Sequence, residues 1–393
     1  MSDNTSRPSV FMPRLAPLNE PEKIADFLRA ESVLRAEAVG AGIAPADVEA
    51  IAQAARELLN RPDRLADLVR VAVALARPEH WNPALWRDTP RDDSRGEQFF
   101  LLLPVLQRLA AMRAEYAARG MPDDVLRATL ADIPIWIDTH QARTGRRGFH
   151  EIGWLREHIF CRVIRLGRLQ FQPSTFNPPF VALVHRASGE RCVVACGGLR
   201  FAESGVFANS EGAAGGVFET RLRVEAGDIR EAHRVQANGR VAQAPSTFEP
   251  GAWEVRLAPG DPALAVHIPA GEPLDAEACR ASFAMAAGFH SRHFPDRAAP
   301  RGLQCVSWLL YPGLADILPP SSNIVQFQRA FLRFPASGAS ADQAYERVFS
   351  PHKRNVARDH LTTSLQRRLF DHIEAGHVPQ STGGVVLDLK FEI

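Results

Sequence analysis

The chain predicts an α+β fold in two parts, an all-helical N-terminal domain followed by a mixed α/β domain. Three observations carry this. From Asn19 to about Gly145 the apolar residues recur at helical spacing, with no strand-like alternation. From Val163 onward, short β-branched and aromatic runs separated by Gly and Pro take over. Within that second part, Leu264–Phe294 reads as strand, Gly-containing loop and helix, and a further strand follows it, the alternation expected of a mixed sheet. At 393 residues, two domains are the better expectation. We place a flexible N-terminus over 1–18, the helical domain over 19–148 and the mixed domain over 149–393.

The helical part opens at Pro21, where Ile24, Phe27, Leu28 and Leu34 share a stripe. Pro45 begins a helix that runs to Asn60. Asp63 precedes a third helix, which Pro78 stops. Trp81, Asn82-Pro83 and Trp86 sit in a charged loop. Phe99–Arg119 is a long apolar helix, bent or begun near Pro104. Pro122-Asp-Asp124 opens another, and a Gly-rich hinge at Thr144–Gly148 closes the domain. Trp154–His158 is a short helix. Val163–Gln172 is expected as one strand ended by Pro173, with Leu169 and Phe171 on one face and Arg168, Gln170 and Gln172 on the other. Strand-rich sequence follows to Leu257, including a turn at Asn238-Gly239.

The stretch Leu264–Phe294 organises the remainder. Leu264–Ile268 is an apolar strand, Pro269-Ala-Gly271 a loop, and Asp275 a helix N-cap. Such a unit directs the free N–H groups of a helix start beyond the strand end, where anions bind, although an ordinary strand-to-helix connection has the same pattern. Leu303–Tyr311 is the next strand. A helix or loop, a strand through Arg329–Phe334, one long helix over Ala341–Glu374 and a last strand from Val385 complete the chain.

Composition excludes several classes. The 46% hydrophobic and 23% charged residues are those of an ordinary soluble globular protein. Lys+Arg 46 against Asp+Glu 45 leaves +1, so no overall field draws the chain to nucleic acid or to an anionic membrane. No uncharged apolar run could span a bilayer and the first residues are not a signal peptide. The five cysteines form no Cys-x-x-Cys pair, which fits a reduced cytoplasm. No GxxxxGK[ST], GxGxxG or GxSxG occurs. His290-x-x-His293 and Cys192-x-x-x-Cys196 lack further ligands, so no metal is expected.

A set of strings resembles a known family. These are Trp154-Leu-Arg-Glu-His158, Arg165-Leu-Gly-Arg-Leu-Gln-Phe171, Pro259-Gly-Asp261, His267-Ile-Pro-Ala-Gly271, Glu277-Ala-Cys-Arg280, Ser307-Trp-Leu-Leu310 and Ser322-Asn-Ile324. In this order they resemble a bacterial family of acyltransferases with a helical N-terminal domain and a GNAT-like C-terminal domain. The resemblance implies a GNAT-type fold in which coenzyme A lies in a notch between splayed parallel strands. It implies acetyl-CoA or a longer acyl-CoA as donor and an amine of a small molecule or peptide as acceptor. On that mapping Leu264–Ile268 and Leu303–Tyr311 flank the notch. Of the family's Gly-rich loop only Gly271 remains.

The resemblance assigns expected roles. Acyl transfer needs a deprotonated amine, an oriented thioester and a proton for the leaving thiolate. His267 or Glu272 is the candidate base and Tyr311 the candidate acid. Each also has a structural reading: a hydrogen-bonded core histidine, a solvated loop carboxylate, a packing tyrosine. Ile268, Ala270, Gly271, Arg280, Ser307 and Asn323 are the candidate cofactor contacts, with a strand serine and a helix-capping asparagine as the plainer readings of the last two. Arg168, Gln170 and Gln172 are candidate acceptor contacts, and Arg165 a candidate anion or ion-pair partner. A second function stays open on the sequence: the same fold as a catalytically inactive ligand-binding or scaffold protein. Oligomeric state is not readable.

Overall fold

The structure, a computed structural model, describes residues 20–77, 82 and 92–387. The expected flexible N-terminus, the loop through Trp81, Pro83 and Trp86, and the end of the last strand beyond Leu387 lie outside the described residues. The chain forms two compact units. One takes the chain up to Ile137 together with Arg147–Cys161, and the other Asp138–Arg146 together with the chain from Arg162 onward. Among the described residues, no helix is long and apolar enough to cross a membrane.

The first unit is helical. Pro45 and Pro62 start the helices Pro45–Leu59 and Pro62–Ala76, where proline's missing N–H would have had no partner anyway. Leu102–Ala118 is the central helix, and Pro104 stands in its first turn rather than bending it. Its apolar side chains from Leu102 to Met112 are buried, Ala110 excepted. Arg64 is 1% exposed and binds Glu97 with both ends of its fork, Nε to Oε1 and Nη2 to Oε2, each at 2.6 Å. The guanidinium also lies 4.1 Å from the Phe100 ring centre. The helix expected around Trp154–His158 runs from Ile152 to Ile159 and belongs to this unit.

The second unit is built on a six-stranded sheet. Its strands are β1 (Ile164–Leu166), β2 (Leu169–Thr175), β3 (Pro262–His267), β4 (Leu303–Ser307), β5 (Leu332–Pro335) and β6 (Thr382–Val386), in the spatial order β1-β2-β3-β4-β6-β5. All neighbours are antiparallel except β3 and β4, which are parallel and joined through the helix Ala276–His293. A smaller antiparallel sheet of Trp253–Leu257, Phe180–His185 and Arg191–Ala195 accompanies it. Residues of the two sheets share a buried cluster rich in aromatics, in which the rings of Phe180 and Phe334 are 4.8 Å apart. Gly383 is required there, since a Cβ on it would come 2.3 Å from the Phe334 ring.

Four expected elements differ. The single strand over Val163–Gln172 is a hairpin, β1 and β2 turning at Gly167, whose φ of +63° favours glycine. Pro173 does not end β2, which continues to Thr175. Pro173 lies beyond the reach of β1 and opposite Leu264, whose N–H points instead to Gly302, so no ladder bond needs the proline nitrogen. The strand expected to Tyr311 stops at Ser307 and becomes a 3₁₀ turn, Trp308–Leu310. The long helix over Ala341–Glu374 is two helices, Asp342–Val348 and Ser364–Glu374, with 3₁₀ turns between them. Pro351 breaks it and Thr363 restarts it, through a capping box with Gln366.

Two predictions follow from this packing. Phe334→Ala removes the central ring of the cluster and is expected to cost about 3–5 kcal/mol, read by urea unfolding. His290, on the helix Ala276–His293, is 6% exposed, stacks on Phe294, and places neither ring nitrogen on a partner among the described residues. Burial, helped by Arg297, pushes its imidazole down to about 4. The unfolded chain therefore takes up this proton first, and stability falls as pH drops from about 6.5 toward 4, by up to ~1.4 kcal/mol per pH unit. His290→Phe should flatten that slope in unfolding measured at pH 7 and pH 5; an unchanged slope would refute the assignment.

Candidate active site

The site begins where the two parallel strands part. β3 and β4 pair only at Leu264↔Leu303 and Ala265↔Gln304. Beyond that, Val266 and His267 keep their partners Phe171 and Gln170 on β2, while Val306 and Ser307 keep Gly383 and Thr382 on β6. Each strand follows its outer neighbour, and a wedge opens between them. Alternation along a strand then aims the Val266 carbonyl and both backbone groups of Val306 into the gap. Val306 is 53% exposed, unusual for an apolar residue in an inner strand.

One wall of the gap ends in the loop from Pro269 to Asp275. Gly271 there has φ +102°, a conformation other residues rarely adopt. Asp275 caps the following helix, accepting from the N–H groups of Glu277 at 3.0 Å and Ala278 at 2.8 Å. The carboxylate is thus turned onto the helix. The backbone N–H groups of Ala270, Gly271 and Glu272 donate to nothing among the described residues, so the loop presents a row of donors.

Two arginines hold this loop from the β1–β2 hairpin. Arg168, 5% exposed, donates from Nε to the Pro273 carbonyl at 2.8 Å and from Nη2 to the Glu272 carbonyl at 2.7 Å. Burial pulls its affinity for the proton below the usual arginine value. Its backbone N–H reaches Ser282 Oγ at 2.9 Å, and Ser282 in turn donates to the Ala278 carbonyl. Hairpin, loop and helix are therefore pinned at one point. Arg165 donates to Glu272 Oε1 at 2.9 Å, so Glu272 is ion-paired rather than merely solvated. Beside them His267 Nε2 meets Gln172 Oε1 at 3.0 Å, and Gln172 orients the ring.

The other wall leads from β4 to Tyr311. Ser307 Oγ accepts from the Leu309 N–H and starts the 3₁₀ turn. The Trp308 side chain is buried in the core. Gln328 donates to the carbonyls of Leu309 and Tyr311, each at 2.8 Å, and fixes the turn. Tyr311 is 6% exposed, and its hydroxyl meets His372 Nε2 at 3.1 Å. Burial raises the pKa of the phenol above its ordinary value, so it remains a proton donor at neutral pH. Burial lowers that of His372, keeping it a neutral acceptor.

Residues 163–386 match the model of the GNAT-like C-terminal domain, and residues 34–161 that of the N-acyltransferase N-terminal domain. The chain belongs to this family of GNAT-like acyltransferases. No curated protein matches its sequence. Among solved structures, that of an acyltransferase mutant in complex with octanoyl-CoA covers 94% of this chain and 89% of its own at 21% identity, with a TM-score of 0.60. That of an acyltransferase in complex with decanoyl-CoA and teicoplanin covers 94% and 100% at 20% identity, with a TM-score of 0.60. That of an acyltransferase in complex with decanoyl-CoA alone covers 95% and 90% at 21% identity, with a TM-score of 0.57. At such identity the likeness is one of fold.

Seen against this family, the sequence-derived residues fall into groups. His267 is the last residue of β3, and Ile268, Ala270 and Gly271 follow it in the loop. Arg168 and Gln170 are buried, and Arg168 is spent on the loop rather than projecting from the strand. Asn323 is not the helix cap; Ser322 is, accepting from Val325, and Asn323 is exposed at the first helical position. Arg280 is exposed on the helix Ala276–His293, near its start. His372 was missed because it lies 61 residues from Tyr311 on a separate helix, and no local pattern links the two. Gln172, the partner of His267, stands on the neighbouring antiparallel strand β2, two residues from Gln170, which pairs with His267.

Arg168→Ala strips two part-buried carbonyls of their donor, at about 0.5–1.5 kcal/mol each. We expect faster amide hydrogen exchange confined to Pro269–Ala278 and a lower melting temperature. Unchanged exchange there would show that the loop holds itself.

Proposed function

We propose that the chain transfers an acyl group from acyl-coenzyme A to an amine of a small molecule or peptide. The wedge between β3 and β4 carries the reading. A pantetheine arm has two amides that must exchange hydrogen bonds with something, and the unpaired strand edge at Val266 and Val306 supplies the complement. The pyrophosphate then falls to the N–H groups of Ala270, Gly271 and Glu272, with Arg280 at hand. The negative charges that would oppose it are engaged, Asp275 as cap and Glu272 with Arg165.

In the reaction the acceptor nitrogen adds to the thioester carbon, the C–S bond breaks, the amine loses a proton and the thiolate gains one. His267, held by Gln172, takes the proton, directly or through water. Glu272 is the lesser choice because it is committed to Arg165. Tyr311, kept protonated by burial and close to His372, protonates the departing sulfur. Positioning supplies most of the acceleration, and the proton transfers about 10²–10⁴-fold. The donors bound by the similar structures, octanoyl- and decanoyl-CoA, favour a medium-chain donor over acetyl-CoA here too, and the teicoplanin complex favours a peptide-like acceptor. A cytoplasmic setting suits the five free cysteines.

The test is thermal unfolding with acetyl-, octanoyl- and decanoyl-CoA. A ligand at ~100 times its dissociation constant adds ~2.7 kcal/mol, and we expect the shift to grow with chain length. Tyr311→Phe should keep that shift while kcat falls by roughly 10²-fold or more. No shift with any donor at millimolar concentration would sink the proposal and leave a fold used for binding something else.

A further inference from the structure

A second concavity adjoins the site on the far side of β4. It is a cleft of about 190 Å³ whose lining includes Ser204, Asn238, Arg240, Tyr311, His377 and Ser381. At ~30 Å³ per water, this is room for about six waters or a small polar group. Its position is fixed by β6, since Thr382 both lines the cleft and pairs with Ser307, the last residue of β4. Tyr311, the proposed acid, forms part of its wall.

The electrostatics of the cleft are one-sided. Among the described residues, no aspartate or glutamate lines it. Arg240 is half-buried, and the bonds it donates among the described residues are from its backbone N–H to Asn238 Oδ1 at 3.0 Å and from Nη1 to the Ser204 carbonyl at 2.9 Å. Most of the guanidinium fork is thus left for a ligand, and no carboxylate neutralises it. Its placement is deliberate in the backbone. The turn Gln236–Arg240 closes through Gly239 N–H to Gln236 O and Gln236 N–H to Arg240 O, each at 2.8 Å. Gly239, at φ +74°, sits so close that a Cβ would stand 3.3 Å from Arg333 and 3.4 Å from Pro312. Arg333 ties the same turn down by donating to the Ala237 carbonyl at 2.8 Å. The His377 ring, stacked on His372 at 4.2 Å, adds a second polar group.

We propose that this cleft receives a carboxylate carried by the acceptor, so that the acceptor is an amino acid, a peptide or a related amino acid derivative rather than a simple amine. The inference rests on the acyltransfer reading, and names the acceptor class for it. A carboxylate fits the fork of Arg240 in two parallel bonds, and the same grip brings the acceptor against Tyr311 at the end of β4, where the thiolate departs. The shared chemistry is an anionic oxygen group, which a phosphate of the donor also has. The donor phosphates, however, are served by the loop beyond β3, on the other side of the wedge.

The experiment uses the full chain without donor and a panel of amino acids and dipeptides, each paired with its C-terminal amide, with binding followed by saturation-transfer NMR. At least one free acid should bind ~10-fold more tightly than its amide. Arg240→Gln should erase that preference, Arg240→Lys should restore part of it, and the decanoyl-CoA dissociation constant should move less than about twofold in both. Equal binding of acids and amides, including none by either at tens of millimolar, overturns the proposal. So does a ~10-fold loss of decanoyl-CoA affinity in Arg240→Gln, which would put a donor phosphate in the cleft. Failure of acyl-CoA to stabilise the wild type is a separate outcome: it removes the acyltransfer reading, whereas the acid preference is read without donor.

Discussion

The architecture of the candidate site depends on an unequal competition for two strands. β3 is held along its length by β2, and β4 by β6, while between them only Leu264↔Leu303 and Ala265↔Gln304 are paired. Parallel pairing is slightly weaker per residue than antiparallel pairing, so where the two demands diverge the central ladder gives way. Unpaired backbone groups in the middle of a sheet are costly when buried. Here they face an opening, and a ligand with amides of its own can satisfy them.

Around that opening both acidic side chains of the loop are engaged, while Arg168 keeps its Nη1 without a hydrogen-bond partner among the described residues. Arg168 is buried yet bonded to two carbonyls, Glu272 is answered by Arg165, and Asp275 faces its own helix. The two negative side chains of the loop are thereby turned aside, Glu272 onto Arg165 and Asp275 onto its helix. On the far wall the same economy appears in Tyr311 and His372, two groups that burial keeps neutral and that meet each other.

Much of this was legible in the sequence where the determinants are local. Asp275 as an N-cap, the helix after it and the apolar strand before it follow from residue type and spacing. The errors were also physical. Val163–Gln172 alternates as one strand would, and only the turn at Gly167 shows that it doubles back. Residues 341–374 look helical by composition, and Pro351 with the Thr363–Gln366 box outweighs that propensity. Arg168 alternates with Leu169 as an outward residue should, but the loop packs over it.

The sequence by itself determined that the chain is α+β, with a helical part followed by a sheet around the strand–loop–helix at Leu264–Phe294, because periodicity, capping and turn chemistry act over a few residues. It also determined the family, through strings spread along the chain. Only the tertiary structure decided that β3 and β4 separate after two pairs, that Tyr311 meets His372 and that Arg240 stands in a cleft that no acidic group lines among the described residues. Those facts depend on contacts between residues distant in the chain, and their energies come from burial and pairing that no local pattern encodes.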